Sequence, residues 1–456
     1  MRWKRARGVK LTLPEFERPK IPDEQNFAAL PLMRAAFAGR KTFDLPTQIG
    51  TFRRPRFADR FTHERVDWSR WQEYLKAAGY LAETSDDPVH DVLRGLEQFE
   101  PQIAEWRQWR RRPQSQFPHD LSDVSSISLH HLDAVRSAAY LFELQMRAHL
   151  ALGDSRSAYS AFQDAFQAQR ALEDEPMLIS CMIRVAMLLN LMAGVGSGLQ
   201  DRAWAAPELE KIARDLVEVR IWDDYRLALG SERAFFNSSF EPLVSGPRRA
   251  RATQIFGAPA GKAKGGLPTT DAVMRGGFGL LPRRVFRDNQ LRHNRYFDEL
   301  IARVNTAGDR FYVDAPAPSS PEHLGAVEQY YFIMRLAWWG FSEFAERYLE
   351  METQLDQTRV ACALERFRLA RQTYPAALSA LVPQFIQAVP EDAYLRAPLR
   401  YARTEEGSFR LYSVGKNRID DGAVINRRKT DRQQLDTIWH YAPNGSAELP
   451  TGGPKQ

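Results

Sequence analysis

Two adjacent carboxylates, Asp420 and Asp421, stand near the end of LYSVGKNRIDDG, a run from Leu411 to Gly422 that begins like a strand and breaks at a glycine. Paired carboxylates of this kind serve as a cation site, as an acid–base pair, or as the cap of a tight turn. Neighbouring side chains in a strand or turn point apart, which weakens the acid–base reading. An EF-hand register with Gly422 sixth places Ile419 third and Arg428 twelfth, where that loop needs oxygen ligands. Residues 416–436 carry six basic side chains (Lys416, Arg418, Arg427, Arg428, Lys429, Arg432) against four acids (Asp420, Asp421, Asp431, Asp436), a net +2. A positive neighbourhood lowers the affinity for a divalent cation. The turn reading has Asp420 or Asp421 accepting backbone N–H bonds while Gly422 takes positive φ.

Other stretches invite chemistry and fail on spacing. GAPAGKAKGG, residues 257–266, has three residues between Gly257 and Gly261 where a phosphate loop needs four, and Ala263 where Ser or Thr must meet magnesium. His130-His131-x-Asp133 offers metal donors, but adjacent residues on a helix diverge by about 100° and rarely share an ion. These histidines read as ordinary surface or interface residues. There is no H-E-x-x-H and no G-x-S-x-G elbow. WRQWRRRP and RRVFRDNQLRHNRYF mix arginine with aromatics, a combination that can serve nucleic acid. Arginine at a helix C-terminus and tryptophan in a core explain the same residues without it.

Composition sets the frame. The 456 residues are 44% hydrophobic and 26% charged, as in a folded protein of about three domains on a prior of roughly 150 residues each. A net charge of +6 over this length is less than a strong polyanion binder shows. Two cysteines, Cys181 and Cys362, lie in apolar helical runs and read as small buried hydrophobes. MLISCMIRVAMLLNLMAGVG, residues 177–196, is interrupted by Arg184 and Asn190 and reads as a buried core helix. The basic start, MRWKRARGVK, lacks the apolar stretch of a signal peptide.

The elements that would position any site are mostly helical. Residues 1–60 read as an extended basic arm lying over a body. Residues 61–243 form an α-helical body, in which WSRWQEYLKAAGYL sets Trp68, Trp71, Leu75 and Ala78 at helical spacing. Gly153-Asp154 ends one amphipathic helix and Ser155 or Ser157 caps the next, predicting an αα-hairpin packed through Gly153, Ala158 and Ala165. Residues 244–285 are a Gly/Pro/Arg-rich loop and 286–356 are further helices of the body. Residues 357–443 are predicted as a small α+β unit: a helix through QTRVACALERFRLARQ, a short helix after Pro375, a hairpin of PLRYAR and SFRLYSV, and a third strand in LDTIWHY. Residues 444–456 read as a flexible tail.

The order of that last unit carries a resemblance. Tyr374-Pro375 with Leu378 and Leu381, Val389-Pro390-Glu391-Asp392, Pro398-Leu399-Arg400-Tyr401 and Leu411-Tyr412-Ser413-Val414-Gly415 resemble the globular head of the major pseudopilin of type II secretion. Over its whole length the chain resembles large bacterial envelope proteins that carry such a head behind a helical body. The pieces concerned are Ile21–Ala28 (IPDEQNFA), Glu175–Ser180 (EPMLIS) and Gly230–Ala234 (GSERA). The resemblance implies calcium in the loop after the second strand, with carboxylates from Asp420, Asp421 and Asp436 and an amide oxygen from Asn417; no other cofactor is expected. It also implies a non-catalytic, envelope-associated scaffold or adaptor that engages other proteins. The alternative is an enzyme of unassigned reaction with its active site under the 244–285 loop. Nucleic acid is not an expected partner. Membrane association would run through an anchor upstream of this chain, placing the protein on the extracytoplasmic face; without one it would be soluble and cytoplasmic.

Overall fold

The amphipathic periods resolve into packed helices, and the protein is mostly α. This computed structural model describes residues 8–43, 66–245, 282–305, 310–312, 344–404, 407–420, 422 and 437–441, with Arg5, Leu45 and two short strands at 48–49 and 52–53. The stretch 246–281, which includes GAPAGKAKGG and nearly all of the Gly/Pro/Arg-rich loop, lies outside the described residues, as does the 444–456 tail.

The predicted αα-hairpin is present as α5 (His130–Ala151) and α6 (Ser155–Arg170), preceded by α1 (Pro31–Phe37), α2 (Trp68–Ala77), α3 (Pro88–Leu96) and α4 (Glu100–Trp109). Its cap is not a serine. Asp154 accepts the Ser157 N–H at 3.0 Å, and Gly153 turns the chain at φ 76° instead of packing the pair. Ala158 and Ala165 are buried between the helices, as their small size suggests. In α2, Trp71, Tyr74 and Leu75 are fully buried. Trp106 is also core, while Arg107 and Arg110 of WRQWRRRP both reach the buried carboxylate of Asp164, at 2.8 and 2.7 Å. Those arginines hold α4 against α6.

The apolar run at 177–196 is helix α7 (Leu178–Gln200), long and apolar enough by composition to cross a membrane. Its Arg184 is instead locked inside the protein, 2.7 Å from Asp224 and 2.9 Å from Glu173. Tyr348 donates to the other oxygen of Asp224 at 2.7 Å. This network ties α7 to α9 (Ile221–Ser245) and α11 (Phe344–Arg371); α8 (Ala206–Val217) and α10 (Arg283–Ile301) complete the described body. Cys181 and Cys362 are free thiols in the interior.

Helix α11 crosses the expected boundary at 356–357 without a break. Beyond it, Arg400–Arg403, Phe409–Ser413 and Thr437–Tyr441 pair in that order as an antiparallel three-stranded sheet. Asp392 pins the end of the middle strand, accepting the N–H groups of Tyr394 at 2.8 Å and Val414 at 2.9 Å. After Pro375 only a short 3-10 turn, Leu378–Leu381, forms.

The arm departs most from expectation. It is not simply extended: short 3-10 turns and helix α1 fold it, and Phe27, Leu30 and Met33 are fully buried in the same core as the body. Fully burying a side chain of this size contributes about 1.5–3 kcal/mol, so the arm is an integral layer.

Candidate metal centre

The arm is fastened to the segment that follows α4. Phe27 donates its N–H to the Gln114 carbonyl at 2.8 Å, and Asn26 brackets Gln116, donating to its carbonyl at 3.0 Å and accepting its N–H at 2.8 Å. Ile21 N–H donates to the Gln116 side chain at 3.0 Å. Ser115 then donates to the carbonyl of Ala171 at 2.7 Å, tying this segment to the turn after α6. That turn is made by Asp174 in the left-handed region at φ 61°, with Arg18 of the arm 3.2 Å from its carboxylate.

These fastenings converge on three side chains. His119 comes from the segment after Pro118, His131 from the first turn of α5, and Glu175 from the turn after α6. Their donor atoms all lie within 4.8 Å of one another. Each side chain is no more than 5% exposed. Both imidazole Nε2 atoms meet the same oxygen, Glu175 Oε1, from His131 at 2.9 Å and from His119 in a shorter contact. An ionised carboxylate only accepts, so both Nε2 atoms carry the proton in this arrangement. Burial alone would push the Glu175 carboxyl up; the hydrogen bonds from His119 and His131, with their charge, overcome that and hold it at about 2.

Aromatic rings close one side of the cluster. Phe117 lies 4.0 Å from the His131 ring, and Phe37 lies 5.1 and 5.5 Å from the rings of His119 and His131. A cavity of about 480 Å³ between arm and body adjoins the cluster, lined in part by Phe117, His119 and Glu175. Three buried polar atoms here have no hydrogen-bond partner among the described residues: Nδ1 of His119, Nδ1 of His131 and Oε2 of Glu175.

Two imidazoles and a carboxylate are an N/O donor set of intermediate softness, suited to zinc and its transition-metal neighbours and not to the all-oxygen shell of calcium or magnesium. Three protein ligands leave a further coordination position, which is the arrangement of catalytic and exchangeable sites as opposed to closed structural ones. When bound, such an ion supplies Lewis acidity and lowers the pKa of a bound water to about 7. The orphaned Nδ1 atoms lack the acceptors that ordinarily orient metal-bound imidazoles, so affinity is expected to fall below that of a closed four-ligand site.

The residues singled out from sequence lie elsewhere. Asp420 caps a turn: its Oδ1 accepts from the Gly422 N–H and the Tyr412 hydroxyl, each at 3.1 Å, and its Oδ2 is 3.3 Å from Arg400. Asn417 accepts the Ile419 N–H at 3.0 Å. Asp421 and Asp436 lie outside the described residues. Of the histidine pair, His130 and Asp133 are exposed, whereas His131 is fully buried and no surface residue. The partners of His131 come from 12 and 44 positions away, not from its helix neighbours His130 and Asp133. The signal that could have exposed it is its place beside Leu132 and Val135, in the apolar register of α5. The stretches Ile21–Ala28 and Glu175–Pro176, which carried the resemblance over the whole chain, both contribute to the cavity wall.

No protein-family model, curated protein or solved structure matches this chain.

Proposed function

We propose that the protein binds one zinc-class divalent metal ion at His119, His131 and Glu175, and that the ion faces a ligand-sized cavity between arm and body. The observation that carries this reading is the convergence of three buried donor atoms within 4.8 Å, contributed by three separate segments. A pocket of a few hundred Å³ beside convergent polar groups is the usual form of a small-molecule site. The adaptor role implied by the pseudopilin-like order of the C-terminal unit is compatible with such a centre. The adjoining cavity supports a ligand position that a purely structural ion would not need.

Equilibrium dialysis of the metal-free full chain against zinc, followed by elemental analysis, tests the reading. One equivalent is expected for the natural chain. Affinity should fall at least about tenfold in His119→Gln and in Glu175→Gln, each checked for folding by circular dichroism, since each removes a direct ligand. Zinc uptake unchanged in a folded double variant, His119→Gln with His131→Gln, would sink it.

A further inference from the structure

The cavity wall has a charge balance that metal binding would upset. Its basic residues are Arg18, Lys20 and Arg34, and its acidic residues are Glu17, Asp23 and Glu175, so the lining sums to zero with neutral histidines. A divalent ion makes it +2. Two of the acids are already engaged, Glu175 at the centre and Asp23 with Arg34 at 2.6 Å. Lys20 has no ion pair among the described residues. Arg18 donates to the Ser115 carbonyl at 2.9 Å, and among the described residues its ion pair is with Asp174, which is 69% exposed. Water screens such a pair strongly, leaving much of the guanidinium's charge unspent. The same lining also carries the apolar side chains of Phe16, Phe117, Leu121 and Pro176.

From this we infer that the cavity takes an amphipathic anion, a monocarboxylate with a hydrocarbon body, whose carboxylate completes the coordination of the metal. The inference rests on the metal reading above. The carboxylate is a good oxygen ligand for a zinc-class ion, and it cancels part of the charge the ion brings. The hydrocarbon lies against the Phe16, Phe117 and Leu121 wall, removing apolar surface from water. Lys20 and Arg18, in the same lining, add positive charge that favours an anion over a neutral ligand.

Cobalt(II) loaded into the metal-free full chain reads both claims separately, because its visible d–d bands report coordination number and ligand set. Octanoate is expected to alter those bands saturably. Acetate, with the same head and no body, should bind about tenfold more weakly or worse, given roughly fourfold per buried methylene even when burial is partial. 1-Octanol, with the body and no charge, should leave the bands unchanged. Lys20→Gln should weaken octanoate several-fold while the cobalt spectrum without octanoate stays as in the natural chain. A stoichiometric cobalt spectrum that octanoate does not touch overturns this inference and leaves the metal centre standing. Octanoate binding equally well without metal, or no better than acetate, overturns it too. Failure of cobalt to bind at all overturns the metal reading, and with it this one.

Discussion

The turn at Asp420 and the cluster at Glu175 both gather polar groups around a carboxylate, yet they are built oppositely. At Asp420 the partners are sequence neighbours or lie on the adjoining strand, and the carboxylate is 43% exposed. Its oxygens are taken up by Gly422, Tyr412 and Arg400. At Glu175 the partners arrive from far along the chain, the side chains are no more than 5% exposed, and one oxygen has no partner among the described residues. Clustering in sequence produced a self-satisfied turn. Clustering in space leaves two imidazole Nδ1 atoms and one carboxylate oxygen without partners among the described residues, the spare capacity a ligand site requires.

The largest expected effect that sharpens this contrast is on stability. Glu175→Ala leaves two buried imidazoles without their acceptor, and breaking a buried charged pair typically costs about 3–5 kcal/mol. The corresponding Asp420→Ala is expected to cost below about 1 kcal/mol. Denaturant unfolding of the full chain measures both, and equal losses would erase the distinction.

Metal comes next. At about 100 times its dissociation constant, zinc adds about 2.7 kcal/mol. In a cooperative chain of 456 residues that is roughly 3 °C, at about 2.1 cal/mol/K per residue. The shift should vanish in His131→Gln, and a shift that survives there would place the ion elsewhere.

Glu232 supplies a control on what the two imidazoles do for Glu175. It is also largely buried, but it has no hydrogen-bond or ion partner among the described residues, and burial alone pushes its carboxyl up from 4.5 to about 7. The native state therefore holds a proton that the unfolded chain has released. Stability from this group falls as pH rises from about 4.5 to about 7 and is level above. Because water reaches its edge, the span is expected to be about 1–2 kcal/mol, short of the full 1.4 per pKa unit. Glu232→Gln should flatten that portion of the stability profile relative to the natural chain, and an unchanged profile would show the group to be solvated.

How much of this was legible follows from the range of the interactions. The α5–α6 hairpin is local, and its apolar period with Gly153-Asp154 announces it; the sequence points to Ser155 or Ser157 as the cap, whereas Asp154 fills that place. Helix α11 was legible in halves. The boundary expected at 356–357 falls inside it, where Gln357 and Thr358 are buried and Thr358 returns its hydroxyl to the Gln354 carbonyl at 2.6 Å. The arm's depth was hidden because Phe27, Leu30 and Met33 follow no long period. The metal cluster was beyond reach for a stronger reason. His131 and Glu175 are 44 residues apart, His119 and Glu175 are 56 apart, and nothing local to any of them encodes the meeting.

The smallest expected effect lies in the turn itself. Asp420→Ala removes an N–H···O bond to Gly422, an exposed position where water can replace it, and a half-exposed pair with Arg400 of the kind worth about 0–1 kcal/mol. Gly422→Ala should cost about 1 kcal/mol, because φ is +71° while open space surrounds the position, so the penalty is backbone conformation alone. With the described oxygens already engaged, calcium is expected to leave the full chain's midpoint where magnesium leaves it. A calcium-specific rise that Asp420→Ala abolishes would mean that the Arg400 pair opens in favour of the ion. Asp420 and Glu175 would then differ in affinity as two sites, and no longer as a turn and a site.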